Sequence, residues 1–576
     1  MQAETTVENR ICKKCSRNFS ITDKDLEFYD MVSPSFPNPG SSESGLKKHL
    51  ISPPTLCPSC RQQRRLTFRN ERNLYKRKCD LTGKDIISIY SPDKKSIVYE
   101  ESEWWSDRWN PFDYGQDFDF SRSFFSQFED LMKAVPRMSL SNGNNEDSAY
   151  NNDTWNCKNT YLCFFSSKIE NSFYINGSFA VKDSMDIGWS KDIENSYECF
   201  NCSNMFKCTV CISSDNCRDV HYSYDCNNCQ DCFGCVWLKN KSFCLLNVQL
   251  EEKQYREKLE EIYKNNKISE IIWLVDNLRK RLPVKYANIE NSINCIWDYI
   301  YSSNDSRFCY EIEGINKGKY LSQCSRWNDM FDCDNSWGEG WIYFEDMCVY
   351  DSFRTIFTST SSKWSDLLYC DNCYSSSDLF WCIWLRNAKY CILNKEYSKE
   401  QYFEMVPKII DHMKKDSEWW EFFPSSMSPF WYNETSAFEY FPIERDDAIN
   451  RVATDWFNWS TYENPAPQVS KVIPASKLPD NINDIPDDIL NWAVECEVTN
   501  RPFRIIKQEL EFYRKHELSV PKRHPDQRHL DRMALRNPRK LHDRNCDKCS
   551  LDIVSTYDHN NPKTIYCSKC YEKEMN

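Results

Sequence analysis

Four Cys-x-x-Cys knuckles at the two ends, an ungapped duplication relating those ends, and a 12-residue period between them predict the fold class. The expectation is a multidomain protein, mainly β with helices. Two terminal zinc-ribbon (treble-clef-like) modules flank two tandem cysteine-rich β-solenoid lobes. At 576 residues the chain exceeds one hydrophobic core, and three to five domains suit its length. The expected boundaries are 1–120 for the N-terminal module, 121–265 and 266–415 for the two lobes with their flanking helices, 416–488 for an aromatic-rich connector and Pro-rich linker, and 489–576 for the C-terminal module.

The knuckles are Cys12 with Cys15, Cys57 with Cys60, Cys546 with Cys549 and Cys567 with Cys570. Two such pairs brought together supply four thiolates at tetrahedral spacing, the ligand set of a structural zinc site. Each set is closed, with no position open to a substrate or an activated water. The expected cofactors are therefore two structural zinc ions, and these sites imply no reaction.

The ends align without a gap over 64–103 and 531–570, where RRLTFRNERNLYKRKC falls on DRMALRNPRKLHDRNC. Upstream, ICKKCSRNF falls on ECEVTNRPF, and LEFY recurs at 26–29 and 510–513. Each module reads knuckle, helix, knuckle, helix, knuckle, β-hairpin, knuckle, enough for two ions. Each copy keeps one complete set, and a different one. The second N-terminal set has become Cys79, Thr82, Glu100 and Glu103, and the first C-terminal set Cys496, Thr499, His524 and Gln527.

The middle carries a second duplication, at an offset of 147 residues: CVWLKNKSFCLLNVQLEEKQY (235–255) matches CIWLRNAKYCILNKEYSKEQY (382–402), and FFSQFEDLMKAVP (124–136) matches IIWLVDNLRKRLP (271–283). Each unit predicts a helix, a proline stop, a cysteine-rich body and an amphipathic helix. The second closing helix opens on a capping-box pattern, Ser398 and Gln401. Within the first body, Asn159, Asn171, Asp183 and Asn195 recur every twelve residues, as do Asn204, Asn216, Asn228 and Asn240. The second body repeats this at Asn304, Asn316 and Asn328, then more loosely to Asn387. An Asx residue tolerates the left-handed region and bonds its own backbone, so a fixed Asx phase predicts a turn per coil.

The central cysteines keep the same period: Cys163, Cys199, Cys211 and Cys235, then Cys208, Cys232 and Cys244. Stacked coils would place them in inward ladders, where a thiol packs as a small hydrophobe. Cys226, Cys229, Cys232 and Cys235 also form a run with iron–sulfur-like spacing. The matching residues of the second body are Cys373, Ser376, Leu379 and Cys382, a change that a core position accepts and a cluster common to both halves does not.

Only 12 glycines occur among the 576 residues, and neither GxGxxG nor GxxxxGK[ST] is present. No HExxH, GxSxG or paired-carboxylate arrangement stands out, so a non-enzyme is expected. The opening MQAETTVENR is polar, and no run of about 18 apolar residues exists, so neither a secretory signal nor a membrane span is expected. A cytoplasmic location with reduced thiols follows. Net charge is −13, yet residues 61–78 hold eight Lys or Arg, and 514–548 eleven. Candidate nucleic-acid or partner contacts are Arg61, Arg64, Arg65, Arg69, Arg72, Lys76, Arg77, Arg532, Arg536, Arg539 and Lys540. The alternative is that these basic faces dock the acidic middle of the same chain. The segment 416–442 is the densest in aromatics, a partner surface or a loop packed across neighbouring domains.

PTLCPSCRQQRRLTFRNERNLYKRKCDLTG (54–83), DCFGCVWLKNKSFC (231–244), SPFWYNETSAFEYFP (428–442) and residues 497–549 carry a resemblance. On them the whole chain resembles an uncharacterised family of cysteine-rich zinc-ribbon proteins of candidate-phylum, small-genome bacteria. The resemblance identifies relatives and implies no mechanism. Some relatives bear a CoA-transferase label, which the scarce glycine and the lack of an acyl-transfer motif here do not support. The expected function is a zinc-binding, non-enzymatic scaffold that takes a protein or ribonucleoprotein partner. The alternatives are nucleic-acid binding through the basic helices, and a metal or redox enzyme built on Cys226–Cys235. No small-molecule substrate is apparent from sequence.

Overall fold

The computed structural model describes residues 4–37, 45–265, 267–304, 306–316, 318–319, 325–328, 330–332, 334, 336–337, 343–345, 348–358, 360–449 and 457–575. The chain packs as two compact units, each drawn from separated segments. One comprises Met1–Ser139, Lys285–Tyr462 and Pro538–Asn561, and the other Leu140–Val284, Glu463–Asn537 and Pro562–Asn576. The five consecutive domains expected from sequence are thus not the units of packing. The N-terminal module packs with the second repeat, and residues 463–537 pack with the first.

The first repeat forms a parallel ladder whose step is the 12-residue period. Ile169 pairs with Val181, Val181 with Ile193 and Ile193 with Met205. Cys199 pairs with Cys211, and Cys232 with Cys244. Backbone φ is positive at every third residue over long stretches, as at Asn156, Asn159, Leu162, Phe165, Lys168 and Asn171. The predicted Asx positions Asn159, Asn171, Asp183, Asn195, Asn204, Asn216, Asn228 and Asn240 all have φ between 46° and 52°. Leu162, Trp189 and Val210 adopt the same region (φ 51°, 52°, 52°), which bulky side chains resist and which the ladder on either side imposes.

The residue after each left-handed turn faces inward. Two rows run Cys157, Ile169, Val181 and Ile193, and Cys163, Ile175, Ile187 and Cys199, all buried. An alternate row is hydroxylated, and its hydroxyls are satisfied by the backbone. Ser172 Oγ donates to Glu170 O (2.7 Å) and accepts from Ser184 N–H (3.0 Å), one coil on. A buried hydroxyl left unpaired would cost roughly 1–3 kcal/mol, and the bond recurs one coil on, where Ser196 N–H donates to Ser184 Oγ (3.0 Å).

The ladder closes on an antiparallel pair, Ser242–Leu245 with Val248–Gln249, followed by helices Glu252–Lys264 and Ile268–Arg281. Tyr255, Ile262, Ile271 and Val275 pack against Phe233, Val236 and Trp237.

The second repeat is the same construction, less regular. Its steps are 12 residues at Leu367↔Leu379 and Leu379↔Cys391, but 11 at Ile289↔Ile300 and 13 at Phe331↔Phe344. The side chains of Asn316 and Asn328 lie outside the described residues, whereas Asn387 has the expected φ of 50°. Helix Lys399–Lys415 begins with the predicted capping box: Gln401 N–H donates to Ser398 Oγ (3.2 Å) and Ser398 N–H to Gln401 Oε1 (3.1 Å). Helix Phe124–Ala134 buries Phe124, Phe128, Leu131 and Met132 along one face and stops two residues before Pro136.

The aromatic segment 416–442 is core, not surface. Trp419, Trp420, Phe422, Phe423, Phe430 and Tyr432 are each at most 7% exposed, and Phe422 and Phe423 pack on Phe68. Residues 460–488 are not a free linker either. Lys471–Pro474 pairs in parallel with Trp492–Glu495, and Ile473, Leu478, Ile482 and Ile485 enter the core beside Leu510 and Tyr513. The sequence marked the prolines, while the isoleucine spacing between them carried the burial.

Candidate metal centres

The N-terminal centre is built from a backbone turn and a helix start. Cys12 N–H donates to Arg17 O (2.9 Å), and Ser16 N–H returns to Cys12 O (2.9 Å), with Ser16 at φ 59°. Cys57 caps helix Pro58–Leu66, whose first position is the proline favoured there. Its N–H donates to Cys12 Sγ (3.3 Å). The sulfurs of Cys12, Cys15, Cys57 and Cys60 all lie within 4.8 Å of one another. Cys15 and Cys57 Sγ are 3.6 Å apart. Tetrahedral zinc–thiolate bonds of about 2.3 Å would set sulfurs about 3.8 Å apart, so this donor set fits the ion without rearrangement. Hydrogen bonds from the Cys57 and Cys60 thiols, joined by the N–H groups of Cys15 and Cys57, hold the Cys12 thiol far below its usual range. Arg17 reaches the Cys15 sulfur and is itself held more firmly protonated.

Cys546, Cys549, Cys567 and Cys570 form the second group, again within 4.8 Å. The turn is the same: Cys546 N–H donates to Leu551 O (2.8 Å), Ser550 N–H to Cys546 O (2.9 Å), and Ser550 has φ 59°. Among the described residues, these two groups are where three or more His, Cys, Asp or Glu ligand atoms come that close.

The two incomplete sets keep the knuckle turn. Cys79 N–H donates to Lys84 O and Gly83 N–H to Cys79 O (both 2.8 Å), with Gly83 at φ 74°. Cys496 N–H donates to Arg501 O and Asn500 N–H to Cys496 O (both 3.0 Å), with Asn500 at φ 55°. Glu100 N–H donates to Cys79 Sγ (3.4 Å), as Cys57 N–H does to Cys12. Burial raises the Cys79 thiol, but hydrogen bonds from Thr82 and from the N–H groups of Glu100, Thr82 and Leu81 bring it net below its usual value. Burial likewise raises Cys496, and the His524 N–H, the Thr499 side chain and the N–H groups of Thr499 and Val498 outweigh it.

The central thiols pack in rows along the ladder and hydrogen-bond to one another, Cys229 taking such bonds from Cys217, Cys226 and Cys232. Cys226 Sγ donates to Tyr224 O (3.5 Å) and approaches Cys235 O (3.8 Å), while Cys235 Sγ reaches Phe233 O and Cys244 O (3.5 and 3.4 Å). Cys226, Cys229, Cys232 and Cys235 are each at most 2% exposed within one apolar cluster. That is the environment of core residues rather than of a cage around iron.

The basic candidates fall into two classes. Arg61, Arg64, Arg65 and Arg69 are at most 5% exposed, Arg532 is 8% and Arg539 7%. Arg61 pairs with Asp332 (3.0 Å), Arg65 with Asp334 (2.7 Å), and Arg64 with Glu345 (3.0 Å) and Glu421 (2.9 Å). Arg69 bonds Glu71. Arg77 pairs with Asp80 (3.0 Å) and also donates to Ser96 O. Arg532 pairs with Asp186 (2.9 Å). Arg536 lies over Trp189 and Arg539 over Tyr440, at 4.9 and 3.6 Å from the ring centroids. Arg72 is half-buried, and Lys76 and Lys540 are exposed.

Thus most of these side chains serve docking within the chain, the alternative the basic runs allowed. Their carboxylate partners Asp186, Asp332, Asp334 and Glu345 carried no sequence signal, because acids abound in the repeats. The matched spacing of Arg61 with Arg65 and Arg528 with Arg532, each four apart on aligned helices, was the signal available.

Family models, curated proteins and solved structures give no significant match to this chain. No helix among the described residues is long and apolar enough to cross a membrane.

Proposed function

We propose that this protein is a zinc-binding, non-enzymatic scaffold that takes a macromolecular partner on the faces of two β-solenoid lobes. The observation that supports it is the pair of closed four-thiol groups, each seated on a backbone turn, with a donor chemistry that suits zinc. A filled tetrahedron of thiolates gives shape and leaves no site for substrate activation. The 12-residue register step, with a left-handed turn every third residue, is the geometry expected of a solenoid, and repetitive coils offer long regular faces. A cytoplasmic location and membership of the zinc-ribbon family that the sequence resembles belong to the same proposal.

Nucleic-acid binding through the basic helices is the weaker reading, because most of the guanidiniums that would carry it are already paired with carboxylates. Affinity for a mixed-sequence RNA falling steeply with salt would revive it. A redox role for Cys226–Cys235 needs thiols that reach solvent or gather around one ion; these are at most 2% exposed, and among the described residues it is the terminal cysteines that gather so closely. Metal analysis of natively purified protein, combined with a native pull-down, tests the main reading. Two zinc ions per chain and a stoichiometric protein or ribonucleoprotein partner are expected. Iron with visible absorbance, or a metal load other than two, would overturn it.

A further inference from the structure

The duplicated modules dock in the same way, and one of the two docking sites lacks a cation. Helix Pro58–Leu66 aligns residue for residue with helix Pro525–Met533, so Arg61 corresponds to Arg528, Arg65 to Arg532 and Arg64 to Asp531. In the first copy Arg61 and Arg65 flank Asp332 (3.0 and 3.6 Å). In the second, Arg528 and Arg532 flank Asp186 in the same way. One coil further along each ladder stands a glutamate, Glu345 in the first copy and Glu198 in the second. The first is reached through the 13-residue step that pairs Phe331 with Phe344, and the second through the 12-residue step that pairs Met185 with Tyr197.

Glu345 is answered by Arg64 at 3.0 Å. Its counterpart Glu198 faces an aspartate position instead. Asp531 has turned away to Arg523 (2.8 Å), and the hydrogen bond Glu198 receives comes from Tyr197 Oη at 3.3 Å. In the first cluster Arg61, Arg64 and Arg65 meet Asp332, Asp334, Glu345 and Glu421, and each of these carboxylates has a guanidinium within 3.0 Å. In the second, Arg528 and Arg532 pair with Asp186 and Glu509, and among the described residues no guanidinium comes within ion-pair distance of Glu198. Burial, reinforced by Asp186, raises the Glu198 carboxyl above the ordinary carboxylate range. Glu198 is half-buried, with Arg528 and Arg532 acting on it only beyond ion-pair distance, and an incoming cation relieves the cost of its partial desolvation.

At this point the unit is hollow. A cavity of about 710 Å³ is lined by Glu198, Tyr197, Tyr222 and Tyr224, with Val210 and Leu535 among its apolar walls. The cations on its walls are engaged: Arg528 and Arg532 with Asp186, Lys522 with Asp480 (2.8 Å), and Arg523 with Glu497 (2.7 Å) and Asp531. Carboxylate and tyrosine faces in an apolar cavity of this size suit a small organic cation, through ion pairing and ring–cation attraction. We propose that this cavity binds a guanidinium- or ammonium-bearing small molecule with an apolar body, its cation on Glu198 where the other copy places Arg64.

The test is calorimetric titration of the full-length, metal-loaded protein with phenethylguanidine and with neutral phenethyl alcohol. Saturable one-to-one binding of the guanidine is expected, with the alcohol at least tenfold weaker. Glu198→Gln should weaken the guanidine at least tenfold. Asp531→Arg, which restores the arginine of the first copy, should block it and raise the melting temperature. The proposal fails if the guanidine does not saturate, if the alcohol binds as well, or if both variants, folded and carrying two metals, bind within twofold of wild type. The charged-against-neutral comparison stands even if either variant misfolds.

Discussion

Within the N-terminal module, the knuckles at Cys12 and Cys79 have the same backbone. Each cysteine N–H bonds the carbonyl five residues on, its carbonyl takes the N–H four residues on, and the fourth residue is left-handed. Cys12 is joined by three more thiols, whereas Cys79 is met by Thr82 and the Glu100 N–H. The difference separates two properties that the Cys-x-x-Cys motif usually combines. The turn is a matter of backbone hydrogen bonds and one residue that accepts positive φ. The ion is a matter of the second pair, contributed by the helix that starts at Cys57. A module can therefore lose a metal and keep its shape, provided N–H donors remain to stabilise the residual sulfur.

That contrast is broken most directly at the ligands. If the proposed zinc ions fill both groups, Cys57→Ser should release one of the two and melt the N-terminal module, since structural zinc carries apparent binding energies of about 10–16 kcal/mol. Cys79→Ser should leave both ions bound and cost about 1–2 kcal/mol. Metal-to-protein ratios and thermal melts of the two variants decide this, and equal losses would erase the distinction.

The next largest effect belongs to the buried ion pairs. Arg65→Ala leaves buried Asp334 without the guanidinium it pairs with, while Asp332 keeps Arg61, and should cost about 3–5 kcal/mol in urea unfolding. Arg532→Ala, at a slightly more exposed site where Arg528 still pairs with Asp186, should cost less. In the ladder core, Ile193→Ala should cost about 2–5 kcal/mol by opening a cavity that flanking coils cannot fill.

A smaller effect depends on pH. Burial raises Glu434 to about 7, although Tyr75 Oη donates to it at 2.7 Å. A carboxyl raised on folding favours the native state when protonated. Its contribution is thus complete below about pH 4.5 and lost as pH rises through about 7. Wild type should lose about 2–3 kcal/mol between pH 5 and pH 8 that Glu434→Gln retains, measured as the difference in urea midpoints. The smallest effect is local: Asn240→Ala, at φ 52° on an exposed turn, should cost about 1 kcal/mol.

Residue spacing alone located both four-thiol groups, the 12-residue step, the Asx turns and the capped helix at Ser398. These depend on interactions within a few residues or on an exact repeat, and a repeat writes its geometry along the chain. Spacing could not show that Leu162, Trp189 and Val210 share the conformation of the asparagines, because nothing in their chemistry favours it. It also misjudged residues 460–488, where burial came from partners distant in the chain, and left open whether the aromatic run at 416–442 was a partner surface or a packed loop.

Which repeat each terminal module packs with, and whether a basic helix meets solvent or a carboxylate, was decided by folding. Arg64 and Asp531 occupy one aligned position, yet only the carboxylates brought up from residues 345 and 198 give that exchange a meaning. Local bonding can be read from neighbours in sequence, whereas the pairing of buried charges depends on which distant groups the packed core brings within a few ångströms.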